Sequence, residues 1–156
     1  MEEKTNVLRA LDRKKIKYGA HYYTGTGAVA GADVARVLGE DPARVFKTLV
    51  TVGRTGAHYV FVVPVTGELD LKKAAAAVHE KSIAMIPQKE LLPLTGYVHG
   101  GCSPVGMKKL FKTVIDATAA DGETFFVSAG KIGAQVELSV YDLMKVVPAE
   151  LADIIS

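Results

Sequence analysis

Lys47 is the hardest residue in this chain to explain by packing alone. It lies in Val45-Phe46-Lys47-Thr48-Leu49-Val50-Thr51-Val52, whose β-branched and aromatic content predicts a strand. Side chains alternate along a strand, so Lys47 shares a face with Val45 and Leu49, and Phe46, Thr48 and Val50 share the other. Both faces are apolar around one cation. An ammonium so placed either snorkels to water from an edge or serves a ligand, because burying it without a partner is costly. The second chemical group is Gly96-Tyr97-Val98-His99-Gly100-Gly101-Cys102-Ser103-Pro104-Val105-Gly106. Its glycines and proline exclude a helix or a regular strand. The stretch is either a tight turn or a backbone-lined wall where amide N–H groups meet a ligand. Within it, Cys102 with His99 is a candidate nucleophile and base, although a lone cysteine is commonly a small buried hydrophobe.

Several other chemistries find no support in the spacing. Gly101-Cys102-Ser103-Pro104-Val105-Gly106 is one residue too long for a nucleophile elbow, and Pro104 removes a donor that an elbow needs. His21, His58, His79 and His99 are scattered singly, and Cys102 is the one cysteine, so neither a metal cluster nor an internal disulfide is expected. Thr24 to Gly31 superficially resembles a dinucleotide-binding loop. Its spacing is off by one, and Phe46-Lys47 stands where an acidic ribose ligand belongs. No cofactor is therefore expected.

The elements that must position these groups follow from local signals. Val7, Leu8 and Leu11 behind Thr5 and Asn6 predict a short opening helix, and Ile16 to Tyr23 a strand. Asp33 to Leu38 is helical with Gly39 as its stop. Gly53 to Gly56 turns the Lys47 strand into a second one at Tyr59 to Val63. Asp70 caps an alanine-rich helix over Leu71 to Val78. Ile83 to Ile86 is a short strand and Gln88 to Leu92 a helical turn. Lys112 to Asp116 and Thr124 to Ser128 are expected to form a second hairpin about Asp121-Gly122. Gln135 to Leu138 is a strand, Ser139 with Asp142 opens a helix over Val140 to Lys145, and Pro148 starts a last short helix. Hairpins interleaved with helices predict an α+β fold rather than a doubly wound sheet.

Length and composition agree with one domain spanning 1–156: 156 residues, 49% hydrophobic, 23% charged and a net charge of +2. The longest apolar runs are strand-sized, so no membrane span is expected, and the charged N-terminus does not read as a signal peptide. A cytoplasmic location is the default expectation.

The ordered set Val45-Phe46-Lys47-Thr48-Leu49, Gly96-Tyr97, Gly100 to Lys109, Ser128-Ala129-Gly130-Lys131 and Val136-Glu137-Leu138 resembles the YbaK-type aminoacyl-tRNA deacylases. These are free-standing relatives of the editing domain inserted in bacterial prolyl-tRNA synthetases. The resemblance runs over almost the whole chain. It implies one domain around a curved, barrel-like mixed sheet flanked by helices. It also implies removal of cysteine wrongly attached to proline tRNA, with the substrate thiol attacking its own ester. Lys47 and Gly101 match the family's catalytic positions. Tyr23, Phe46, Thr48, Gly100, Ser103, Ser128 and Gly130 are the implied substrate contacts, with no metal. The implied partners are the 3′ end of aminoacyl-tRNA and prolyl-tRNA synthetase, and Lys72, Lys73, Lys108, Lys109 and Lys112 are candidates for tRNA phosphates. Ile132 departs from the arginine that many relatives carry, and Cys102 from a small or aliphatic residue. A deacylase for another small amino acid, or a non-catalytic binder of aminoacyl-tRNA or of the synthetase, are the alternative readings.

Overall fold

Thr5 caps the first helix as its spacing predicts. In the computed structural model, which describes residues 4–156, its Oγ1 accepts from the Leu8 amide at 3.2 Å. The helix α1 (Asn6–Arg13) buries Val7, Leu8 and Leu11. The chain continues through β1 (Gly19–Tyr22), α2 (Gly31–Leu38), β2 (Phe46–Gly53), β3 (His58–Pro64), α3 (Leu71–Ala77) and β4 (Ile83–Met85). It then forms α4 (Leu91–Thr95), β5 (Lys112–Asp116), β6 (Phe125–Ser128), β7 (Ala134–Leu138), α5 (Val140–Leu143) and β8 (Ala149–Ala152). Gly39 stops α2 in the left-handed conformation at φ 68°, and Asp70 caps α3 through the Lys72 and Lys73 amides.

The strands form two sheets, one of five strands in the order β4-β2-β3-β5-β8 and one of three in the order β1-β7-β6. This mixed α/β architecture agrees with the expected class, but the sheet does not close into a barrel. Only an isolated bridge between Val45 and Phe126 ties the start of β2 to β6. The hairpin β2–β3 forms as predicted, with Lys47 opposite Val63. The second predicted hairpin does not. β5 lies parallel to both β3 and β8, while β6 pairs antiparallel with β7. The reason lies in the connection: Asp116 caps a 3-10 turn over Ala117–Asp121 that carries the chain from one sheet to the other. The predicted last helix is also corrected. Ala149–Ala152 is strand β8, where pairing with β5 overrides the helical preference of its alanines and Leu151, and Pro148 precedes it where no ladder donor is needed.

The largest core cluster fills the space between the sheets, where Phe46 and Phe125 meet edge to face with centroids 5.1 Å apart. A second cluster, with Phe61, Val63, Ala74 and Ile154, lies under α3. Arg44, just ahead of β2, ties the frame together. Its guanidinium donates to the carbonyls of Thr118 at 2.6 Å, Ala119 at 2.7 Å and Thr124 at 2.8 and 3.1 Å. Among the described residues no helix is long and apolar enough to cross a membrane.

Candidate functional site

A cavity of about 330 Å³ opens between α2, the first half of β2, the glycine-rich stretch and the ends of β6 and β7. Lys47 enters it from β2, half-buried, and makes no hydrogen bond or ion pair among the described residues. The first half of β2 gives the cavity residues from both of its faces. Val50 is spent on the core, Phe46 packs in the core while also bordering the cavity, and Lys47 and Leu49, on the opposite face of β2, line the cavity as well. Thr48 also lines the cavity, and its Oγ1 is sealed from solvent with no partner. A buried polar atom left without a partner is uncommon in a folded protein and marks a place where a ligand can complete the bonding.

Of the residues expected at the site, the cavity gathers Tyr23, Phe46, Lys47, Thr48, Gly100 and Ser128. Ser128 Oγ accepts from the Gly130 amide at 3.1 Å, which leaves its hydroxyl proton to donate. Gly100 has φ +87°, and a Cβ there would come within 2.6 Å of Val29 Cγ1, so chain reversal and close approach both demand glycine. Gly101, Ser103 and Gly130 are not on this wall. Ser103 is fully buried, with Oγ accepting from the Val105 amide at 3.2 Å, so it holds the turn from within. Gly130 borders a second cavity beside α1. Gly101 stands behind the wall, where a Cβ would lie 3.0 Å from Ile132 N and 3.1 Å from Lys131 C and Cα.

That contact is with backbone, which cannot swing aside. Gly101→Ala is therefore expected to displace the Lys131–Ile132 loop, costing about 1–3 kcal/mol in a urea titration. Movement of the adjoining wall should lower turnover about tenfold or more. An unchanged rate would show that the loop position does not matter to the site.

Cys102 and His99 both line the cavity, but burial pushes the thiol up to about 12. At neutral pH the thiol therefore stays in its protonated form, which is a poor nucleophile. Tyr97 is likewise raised to about 12, mainly by burial, and its hydroxyl donates to the Val105 carbonyl, closing the glycine-rich stretch on itself. Its role is structural. Two of the five lysines suggested for tRNA phosphates are committed elsewhere: Lys73 donates to Asp153 at 3.1 Å and to the Ile155 carbonyl at 2.8 Å, and Lys112 lies 3.9 Å from Glu150. Lys72, Lys108 and Lys109 are exposed. Among the described residues no group of His, Cys, Asp or Glu is placed to hold a metal ion.

A sequence profile of the aminoacyl-tRNA editing domain matches residues 27–146, a span containing nearly every wall of this cavity. The chain belongs to the aminoacyl-tRNA editing domain family. An Enterococcus faecalis protein, EbsC, described as a candidate Cys-tRNA(Pro)/Cys-tRNA(Cys) deacylase, is 40% identical over 154 residues, covering 98% of this chain and 94% of that one. Among solved structures, a hypothetical protein superposes with a TM-score of 0.89 at 21% identity, covering 97% of this chain and 100% of the other. A candidate trans-editing enzyme for prolyl tRNA synthetase superposes with a TM-score of 0.82 at 24% identity, covering 97% and 93%. At those identities the two structures show a shared fold. Family membership brings aminoacyl-tRNA deacylation as the reaction to be accommodated.

This editing domain also has a cavity residue that a strand prediction does not single out. Gln135, on β7, lines the cavity at 4% exposure with Oε1 sealed from solvent and without a partner. The signal was available in the sequence: a polar side chain in an apolar strand, the same anomaly that marks Lys47.

Proposed function

We propose that this editing domain is a free-standing deacylase that clears cysteine from mischarged proline tRNA, holding the aminoacyl-adenosine end in the 330 Å³ cavity. The observation that carries the reading is the unpartnered Lys47 ammonium at a largely apolar cavity bordered by the glycine-rich stretch, in a chain of this family. Lys47 and Gly101 are the proposed catalytic positions, Lys47 at the reacting end and Gly101 by fixing the wall. Tyr23, Phe46, Thr48, Gly100 and Ser128 contact the substrate. The volume is at the low end for ligand sites, which suits a small acyl group with its ribose. The name of EbsC, with cysteine common to its two tRNAs, supports recognition of the acyl group ahead of the tRNA.

With no protein thiolate available, the substrate supplies the nucleophile. The cysteinyl sulfur attacks its own ester carbonyl, a C–S bond forms, and the C–O bond to ribose breaks. The leaving ribose oxygen takes up the proton that the thiol gives away, and a cyclic thioester is released. Lys47 stabilises the negative charge on the carbonyl oxygen or holds the terminal phosphate; a fixed cation in a partly desolvated site does so better than water. Lys72, Lys108 and Lys109 offer salt-dependent contacts to the tRNA body. The work is cytoplasmic, with prolyl-tRNA synthetase as the partner that supplies the mischarged tRNA.

The test is a panel of aminoacyl-tRNAs that includes Cys-tRNA(Pro), Cys-tRNA(Cys), Ala-tRNA(Pro) and Pro-tRNA(Pro). Preferential hydrolysis of the cysteinyl esters is the expected result. Hydrolysis of another small acyl group would change the substrate, and saturable binding without hydrolysis would make the domain a binding module. In the same assay Cys102→Ala is expected to keep turnover within about twofold, since its thiol stays protonated. A loss beyond about 100-fold in a folded variant would restore the Cys102–His99 nucleophile.

A further inference from the structure

Val29 and Ile132 are exposed by 40% and 44%, and single exposed apolar side chains are ordinary on a protein surface. What sets this pair apart is where the two converge. Val29 lies in the loop ahead of α2 and lines the cavity, and Ile132 lies in the loop between β6 and β7. Both close on Gly100, itself a lining residue. A Cβ on Gly100 would stand 2.6 Å from Val29 Cγ1, 3.5 Å from Ile132 Cγ1 and 3.7 Å from Ile132 Cδ1. Three segments far apart in the chain thus meet in an exposed apolar lip at the cavity mouth, and Gly100 puts no side chain between the other two. Neither Val29 nor Ile132 can donate or accept a hydrogen bond through its side chain.

The covalent structure of the substrate says what must lie against this lip, a step that rests on the deacylase reading. The acyl ester at Lys47 is carried on a ribose, and the base hangs from that same ribose by one glycosidic bond. A cavity of about 330 Å³ is at the low end for ligand sites and is taken up by the acyl group with its ribose, which leaves the base at the mouth. The flat face of a base is covered favourably by apolar surface whatever its edge carries.

We propose that Val29 and Ile132, over Gly100, form the platform on which the face of the terminal adenine of the aminoacyl-tRNA rests. The platform is remote from the ester and holds ground state and transition state alike. Its loss therefore appears in KM rather than in kcat.

The test combines a measurement without turnover and one with it. Protein carrying ¹³C-labelled valine and isoleucine methyl groups is titrated to millimolar concentrations with adenosine 5′-monophosphate and, separately, with ribose 5-phosphate. The methyl signals that vanish in Val29→Ser and in Ile132→Ser are expected to move upfield with the nucleotide, through the ring current of a base stacked on them, and to stay in place with the sugar phosphate. In turnover, Ile132→Ser, at an exposed position, should raise KM for Cys-tRNA(Pro) about fivefold, with kcat within about twofold and the unfolding midpoint unchanged. Unmoved methyl signals, equal shifts with ribose 5-phosphate, or a loss confined to kcat would overturn the platform. Loss of the nucleotide shifts in Ile132→Ser at an unchanged KM would also overturn it and assign the lip to free nucleotides. Nucleotide shifts in a protein that hydrolyses no aminoacyl-tRNA would keep the platform and sink the deacylase reading; hydrolysis with unmoved methyl signals would do the reverse.

Discussion

Lys47→Ala is expected to lower kcat/KM for cysteinyl-tRNA about 10²–10³-fold while leaving the unfolding midpoint nearly unchanged, a loss typical of removing one fixed charge-stabilising group. The two halves of this prediction have separate causes. The ammonium makes no hydrogen bond or ion pair among the described residues, so its removal breaks no bond of the fold. It also relieves a half-buried charge, which offsets the packing lost with its methylene stem. Lys47→Arg keeps the charge but spreads it over a planar fork on a longer reach, and should recover only part of the rate. Single-turnover rates with preformed cysteinyl-tRNA, together with urea titrations, separate the outcomes. Full activity in Lys47→Ala would remove Lys47 from the mechanism.

Arg44→Ala carries the largest expected effect on stability, about 3–5 kcal/mol by urea titration. The guanidinium answers three backbone carbonyls in the connection between β5 and β6, and each abandoned acceptor costs about 1–3 kcal/mol, reduced where water can enter. Arg44→Lys places one ammonium where a fork reached three acceptors and should recover less than half of the loss. Because Arg44 lies three residues before Lys47, turnover at a temperature where the variant is still folded should also fall. A loss under about 1 kcal/mol would mean that the connection holds itself without the arginine.

Local signals in the sequence accounted for the elements built from caps, hairpin turns and apolar runs. Thr5, Gly39 and Asp70 sit where their chemistry places them, and β2 with β3 forms the hairpin expected of its turn. The failures lie where a distant partner decides. Asp121-Gly122 carries a hairpin signal, but the strands beside it belong to different sheets, since β5 is claimed by β3 and β8 and β6 by β7. Ala149–Ala152 has a helical composition and becomes a strand because an open edge of β5 is there to receive it. The site divides the same way. Lys47 was legible because a cation in an apolar strand is anomalous on any fold. The retreat of Gly101 behind the wall was not, because the backbone that crowds it belongs to the distant Lys131–Ile132 loop, which only tertiary folding brings there.

The register of the two sheets also has a consequence for how the chain reaches its structure. β1, at residues 19–22, pairs with β7, at 134–138, and β3 pairs in parallel with β5 across about fifty residues that contain α3, β4, α4 and the glycine-rich stretch. The β2–β3 hairpin can form early on the ribosome, yet β1 has no strand to join until β7 has been synthesised. High contact order of this kind slows folding and couples the early and late thirds of the chain into one cooperative event. A nascent chain halted before β7 would hold Lys47 on a formed hairpin while the cavity around it was still unmade.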